Sequence, residues 1–187
     1  MDNYPYIIAG LPDLLLNGDG TTRINYDEIK ESIVQSCSPE DNRLIEWFEF
    51  GTDSSNLSPH FYRAAASVSN LFISSYFIFD KNVRDAKVAY LTNTEFDGEF
   101  EEYPRLKSVF QIENIIDREL QIDKLYWSKA GEIVLYELFN INVILAFLAK
   151  AKIVDRWNKL DRTMGAELFR TLVQEVRGTF KGVEYDK

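Results

Sequence analysis

The chain of 187 residues contains a single cysteine, Cys37, and a single histidine, His60. One cysteine excludes an internal disulfide, and one histidine without a cysteine pair cannot complete a zinc site of the usual kind. Cys37 lies just before a predicted helix cap, where a thiolate could be stabilised, but there is no second histidine to act as its partner. We therefore interpret Cys37 as a buried or idle thiol and His60 as a surface or packing residue.

Long apolar runs are absent as well. The longest apolar-looking segment, Phe139 to Ala149, contains two asparagines, whereas a membrane-spanning helix needs about 20 apolar residues. The first residues lack the basic start and apolar core of a signal peptide. We therefore expect a soluble, cytoplasmic protein without direct membrane insertion, which could sit on the cytoplasmic face of a membrane complex.

The usual catalytic and cofactor motifs are also missing. The sequence has no phosphate-binding loop, no dinucleotide fingerprint and no serine-nucleophile elbow. It also lacks the Glu-x-x-His pairs of a di-iron bundle. Neighbouring carboxylates such as Glu28 with Glu31, or Glu113 with Asp117, lie on predicted exposed helix faces. We therefore expect no catalytic residue, no cofactor and no metal, and keep an enzyme with an acidic pocket as the minor alternative.

Positive charge is scarce outside the C-terminal part. The net charge of −9 argues against general nucleic-acid binding, which needs a basic face. Residues 150–187 nevertheless carry a net charge of +3, so the rest of the chain carries −12. This asymmetry favours two surfaces for different partners, although chance on a solvated helix would explain it equally well. The predicted partner contacts are Arg156, Lys159, Arg162, Arg170 and Arg177.

Bulky apolar residues, in contrast, are abundant. Hydrophobic residues make up 45% of the chain and aromatic residues 14%, with thirteen phenylalanines and ten tyrosines. This composition is typical of a globular chain, and its length suits one large domain or two small ones.

Capping signals predict where several helices begin. Asn25, with Glu28 three residues later, is typical of a capping box, and Ser38 and Ser58 each precede a proline at the first helical position. From these starts we predict helices to about Ser36, to about Gly51 and to about Tyr90.

The remaining pattern is helical too. We predict a loop over 93–104, a helix near 106–120, another after Ile122, and a three-to-four spacing that continues to Phe180. Residues 4–12 contain two prolines and are predicted to be extended. The prediction is an all-α multi-helix bundle of one compact domain, with an extended segment and turn (1–25), a first helical unit (26–95) and a second (105–187).

An internal repeat supports this division. The pattern Y-x-x-F-x-x-N-V-x-x-A occurs at 76–86 and again at 136–146, and its spacing places the shared residues on or beside one helical face. We predict that the two segments form equivalent helices of a duplicated unit. The asparagines are interpreted as ties between helices, with contact to a ligand or partner as the alternative. The main repeated residues are Tyr76, Phe79 and Asn82, and Tyr136, Phe139 and Asn142.

Three stretches resemble a known family. They are residues 6–14, 139–150 and 153–161, the last continuing into 164–169. They resemble the small family, related to the C-type subunit, that is encoded beside V-type ATP synthases in some bacteria. The most specific part is the phrase Arg156-Trp157-x-x-Leu160-Asp161. We expect Trp157 to be buried and structural, because its spacing with neighbouring apolar residues puts it on an apolar helix face.

The resemblance implies a function. The larger C-type subunit of these complexes is an all-α protein of repeated helical bundles that caps the membrane rotor ring and receives the central stalk. It has about three repeats, whereas this chain shows two. Because the larger subunit connects ring and stalk, the resemblance implies that this chain is a non-catalytic subunit that couples them in ATP-linked proton or sodium transport. Its partners would be other V-type ATPase subunits. The alternative is a free-standing helical adaptor or regulator.

Overall fold

The computed structural model describes residues 3–16, 22–96 and 98–160. Within these ranges the chain forms eight α-helices and no strand, which confirms the predicted all-α fold. No helix in this part of the chain is long and apolar enough to cross a membrane. The helices are α1 (Tyr4–Ala9), α2 (Tyr26–Ser36), α3 (Pro39–Thr52), α4 (Pro59–Ser67), α5 (Leu71–Thr92), α6 (Tyr103–Phe110), α7 (Ile115–Ile133) and α8 (Ile141–Lys159).

Three predicted helix starts are confirmed. The side chains of Asn25, Ser38 and Ser58 each accept a hydrogen bond from a backbone N–H two or three residues further along. Pro39 and Pro59 follow directly, in the first turn where a missing N–H leaves no helical bond unmade. Local chemistry alone therefore places the starts of α2, α3 and α4.

Two predicted helices are broken in the structure. The helix expected from 59 to about 90 stops before Val68, and Asn70 starts α5 by accepting the Ile73 N–H at 2.9 Å. In the same way Asn114 starts α7 and interrupts the helix predicted near 106–120. An asparagine with extended backbone satisfies the first N–H groups of a new helix, so each break needs no glycine or proline.

The N-terminal segment is partly helical. The prediction of an extended chain is wrong for Tyr4–Ala9, which form α1. Pro5 lies in the first turn of this helix, where it is tolerated. The Tyr4 hydroxyl donates to both carboxylate oxygens of the buried Asp41, at 2.8 and 3.0 Å, and so ties α1 to α3.

The two repeated segments do not form equivalent helices, so this prediction is wrong. The first lies inside α5, where Tyr76 and Phe79 are buried. In the second, Tyr136 and Phe139 lie in the loop before α8 and are 94% and 56% exposed. The reason is Asn140, whose side chain accepts hydrogen bonds from two backbone N–H groups of the next turn. Helix α8 therefore begins in the middle of the repeated segment.

In the described part of the chain, buried side chains form two clusters. The first joins α3, α4 and the N-terminal half of α5 to α8, so residues on both sides of the loop over 93–102 contribute to it. The second joins the C-terminal half of α5 to α6 and α7. Representative members are Phe48, Phe72, Phe77 and Leu148 in the first cluster, and Phe79, Val83, Leu106 and Leu125 in the second.

Helix α3 ends at Thr52, one residue after the predicted end near Gly51. Gly51 is buried, and a Cβ at this position would lie 2.3 Å from Cζ of Phe61 and 2.4 Å from Cζ of Phe77. The absence of a side chain thus lets α3 lie directly against the aromatic rings of α4 and α5.

Replacing Gly51 by alanine should therefore destabilise the protein by about 1–3 kcal/mol, the usual cost of overpacking a filled core. The matched control is Gly131→Ala in α7, where the new Cβ would meet only the flexible end of Lys150, at 3.3 Å. That change should be neutral or stabilise by up to about 1 kcal/mol, because alanine is the better helix former. Urea unfolding of both variants checks this, and equal losses would contradict it.

Candidate functional site

An open cavity of about 640 Å³ lies between α5, α7 and α8. Its walls combine aromatic rings with side chains of both charges, and it includes Tyr76 and Arg156 from the predicted motif residues. The charged side chains that line it are Asp80, Arg84, Lys87, Glu119, Asp123, Lys152, Asp155, Arg156 and Lys159.

Asp80 is the first of two buried carboxylates at this cavity. It lies in α5 and accepts hydrogen bonds from the hydroxyls of Tyr62 at 2.6 Å and Tyr126 at 2.8 Å, and from Nε of Arg84 at 2.8 Å. One carboxylate therefore links α4, α5 and α7. Burial is the largest cause that raises the pKa of both tyrosines, and the negative charge of Asp80 and the hydrogen bond to it raise the pKa further. Both hydroxyls therefore stay protonated and act as donors.

Asp123 of α7 is the second buried carboxylate. It accepts a hydrogen bond from the guanidinium of Arg156 and another from Nε1 of Trp157 at 2.6 Å. The pKa of Asp123 is raised because burial outweighs the attraction of Arg156. The most specific phrase of the resemblance thus holds α8 against α7.

A third polar link lies beside the cavity. Glu49 of α3 accepts a hydrogen bond from the Tyr26 hydroxyl of α2, and Lys152 of α8 donates to its second oxygen at 3.2 Å. Burial, then Glu49, raises the pKa of Tyr26 well above its usual value. Lys152 also donates to the Thr52 hydroxyl, so α2, α3 and α8 are held at one point.

The residues predicted to contact a partner differ in exposure and in their ion pairs. The Arg156 side chain is 51% exposed although it binds Asp123, and Lys159 is 70% exposed beside Asp155, at 2.6 Å. Leu160 of the family-like phrase is exposed at the end of α8. The other predicted residues, Asp161, Arg162, Arg170 and Arg177, lie outside the described residues.

The repeated asparagines also differ. Asn142 lies in the first turn of α8 and accepts a hydrogen bond from the Asn70 side chain at 2.8 Å, which ties the starts of α8 and α5 together. This is the kind of tie that the sequence predicts. Asn82 is partly buried in the middle of α5, away from the ends of that helix.

Sequence reasoning missed both buried aspartates of the cavity, Asp80 and Asp123. A signal was present, because Asp80 is four residues after Tyr76 and three before Val83, on the core-facing side of α5. Asp123 likewise stands between core residues Ile122 and Leu125. An aspartate among core positions indicates a buried carboxylate that needs donors from elsewhere. Among the described residues, no three His, Cys, Asp or Glu side chains converge as metal ligands.

The Trp157 hydrogen bond gives a stability prediction. Trp157 is only partly buried, so the indole N–H to Asp123 is expected to matter more than ring burial. Trp157→Phe should lower the unfolding free energy by about 1.5–3 kcal/mol, the range for a hydrogen bond to a charged group. The control is Trp127→Phe, which keeps an aromatic ring beneath the Lys150 ammonium, at 5.3 Å, and should lose less than about 1 kcal/mol. Similar losses in the two urea melts would argue against the Asp123 bond.

The fold and the site define an all-α protein whose helices are cross-linked by buried carboxylates. Over residues 91–179 the chain matches the family model described as "Protein of unknown function (DUF2764)". The matched range contains Asp123, Arg156 and Trp157. No curated protein and no solved structure matches the chain.

Proposed function

We propose that the chain is a non-catalytic subunit of a V-type ATPase or ATP synthase, which couples the membrane rotor ring to the central stalk in ATP-linked proton or sodium transport. One observation carries the proposal. Arg156 and Trp157, in the phrase most typical of the resemblance, both bind the buried Asp123. The family-like residues therefore give stiffness to the joint between α7 and α8, a property that a torque-transmitting subunit requires.

Stiffness extends across the bundle. Asp80 links α4, α5 and α7, Asp123 links α7 and α8, and Glu49 links α2, α3 and α8. Satisfied polar networks of this kind favour one arrangement of the helices and resist sliding of one helix along another. Since these carboxylates are engaged by donors of the chain itself, we assign them a structural role and expect no catalytic residue.

The surface also suits protein partners. Around the cavity, the half-exposed Arg84 and Arg156 and the more exposed Lys159 each pair with an aspartate of the chain, so this surface presents charges of both signs. Charged groups at the rim of an interface mainly raise the association rate and fix register. A coupling subunit also needs contact areas well above about 1,000 Å². We expect these contacts on the cytoplasmic face of the membrane.

The test is affinity isolation of the tagged, full-length chain from native membranes, with quantitative identification of its partners by mass spectrometry. We expect V-type ATPase subunits in near-stoichiometric amounts. An unrelated helical protein with the same tag serves as the control. Enrichment of other proteins without any ATPase subunit would overturn the proposal and favour the free-standing adaptor.

A second measurement tests coupling itself. In membranes from a deletion strain, we expect ATP-driven ion transport to fall while ATP hydrolysis by the catalytic subunits persists. Restoring the full-length chain should restore transport. Unchanged transport in the deletion strain would contradict a coupling role.

A further inference from the structure

The loop between α7 and α8 exposes its apolar side chains and covers its charged one. Leu135, Tyr136, Leu138 and Phe139, here called the apolar tip, are 67%, 94%, 73% and 56% exposed. Glu137 between them is partly buried and accepts a hydrogen bond from the Asn140 side chain. A loop that faces only water normally shows the reverse pattern.

Hydrogen bonds hold part of the backbone of the apolar tip. The Leu135 N–H donates to the Glu132 carbonyl at 3.2 Å, and the Glu137 N–H donates to the Val134 carbonyl at 3.0 Å. The Asn140 side chain both caps α8 and binds Glu137. A surface held in this way loses little conformational freedom on docking, which favours binding.

The apolar tip is also large for an isolated surface feature. Four side chains of this kind expose roughly 500 Å², near the upper end of what monomers show. Leu71 follows Asn70, which binds Asn142 at the start of α8, so it lies at the same end of the bundle and is 49% exposed. Exposed tyrosine and phenylalanine are enriched in protein interfaces.

Charge around the apolar tip selects the kind of partner. Residues 130–149 contain two carboxylates, Glu132 and Glu137, and no lysine or arginine. Along the chain, the nearest cations are Lys129, which is shared between Glu102 and Glu132, and Lys150, which lies over the Trp127 ring. Glu137 is bound by the uncharged Asn140 amide. Anionic lipid surfaces are bound by apolar loops flanked by basic residues, which this loop lacks.

We infer that the apolar tip docks into an apolar recess bordered by lysine or arginine on another protein subunit of the complex in which the chain works. This inference rests on the proposed V-type ATPase function and adds to it the surface and the chemistry of the contact. The occupant is a protein subunit, and a lipid surface is an outcome that the experiment separates.

The experiment measures binding of the purified full-length chain to immobilised V-type ATPase from a deletion strain. The tip variant combines Tyr136→Ser, Leu138→Ser and Phe139→Ser, and the control combines Ile78→Ser, Val88→Ser and Leu91→Ser, which are exposed apolar residues of α5. We expect the tip variant to bind at least about tenfold more weakly. The control should stay within about threefold of the parent.

The outcomes separate the inference from the proposed function. If the parent chain fails to bind, both fall. If parent and tip variant bind equally, the tip inference falls and the proposed function stands. Binding of the parent, but not of the tip variant, to vesicles of phosphatidylcholine and phosphatidylglycerol would overturn the protein recess in favour of lipid.

A second variant guards against misfolding of the first. Tyr136→Cys in a Cys37→Ser background carries one thiol for a photoactivated cross-linker. We expect it to cross-link to an ATPase subunit, whereas Leu91→Cys in the same background should not. Absence of a cross-link from position 136 in the bound complex would overturn the inference.

Discussion

Replacing Asp80 by alanine should lower the free energy of unfolding by roughly 3–5 kcal/mol, the usual result of breaking a buried charge network. Three donors would lose their acceptor at once, namely the hydroxyls of Tyr62 and Tyr126 and Nε of Arg84. Water can rehydrate Arg84, whose side chain is 46% exposed, so we expect the lower half of this range. Urea unfolding followed by circular dichroism measures the loss.

The matched control lies in the same helix. Asp85 pairs with Lys81 on the exposed side of α5, and Asp85→Ala should change stability by less than about 0.5 kcal/mol. The double variant Asp80→Ala with Tyr126→Phe should lose less than the sum of the two single losses, because both changes remove the same bond. Additive losses, or equal losses at positions 80 and 85, would refute the view that Asp80 joins three helices.

Much of the fold follows from local signals. The cap and proline at Ser38-Pro39 and Ser58-Pro59 fix helix starts through bonds within one turn, so they hold whatever packs around them. The breaks at Asn70, Asn114 and Asn140 could not be placed in this way. Each asparagine stands beside or within an apolar pattern that reads as helical on both sides, and packing decides between a cap and an interior position.

The candidate site was less predictable because its bonds are long-range. Asp80 is 46 residues from Tyr126, and Asp123 is 33 residues from Arg156. No spacing rule reveals such pairs, although a carboxylate among core residues signals that they are needed. The repeat led to a wrong prediction of equivalent helices, because identical residues in the two segments lie in different surroundings. Tyr76 is 7% exposed and Tyr136 is 94% exposed.

Above pH 10 the protein should lose stability steeply, because three tyrosines keep their protons in the folded state. Tyr26 and Tyr76 are buried, and Tyr126 is partly buried and bound to Asp80. Burial is the largest cause that raises the pKa of Tyr26, Tyr76 and Tyr126 above 10.0, and neighbouring carboxylates add to it. In the unfolded chain these tyrosines ionise near the ordinary value. The unfolded state therefore binds fewer protons above pH 10, and stability that is complete below this pH is lost as pH rises toward the raised pKa values.

The expected size makes the effect measurable. Each of these three tyrosines contributes about 1.4 kcal/mol per pH unit, so together they give a slope of roughly 4 kcal/mol per pH unit. Against a total stability of about 5–15 kcal/mol, the helices should unfold within roughly one to four units above pH 10. Tyrosinate absorbance and circular dichroism, followed together, should show these tyrosines ionising only as the helices unfold. Ionisation of the buried tyrosines with the helices intact would contradict the prediction.

Single variants separate buried from exposed tyrosines in this titration. Tyr126→Phe should reduce the slope by about 1.4 kcal/mol per pH unit, whatever it changes at neutral pH through the lost bond to Asp80. Tyr136→Phe should leave the slope unchanged, because Tyr136 is 94% exposed and ionises alike in both states. An equal reduction of the slope by the two variants would show that the surroundings of Tyr126 are not the cause, since only the Tyr126 hydroxyl donates to the buried Asp80.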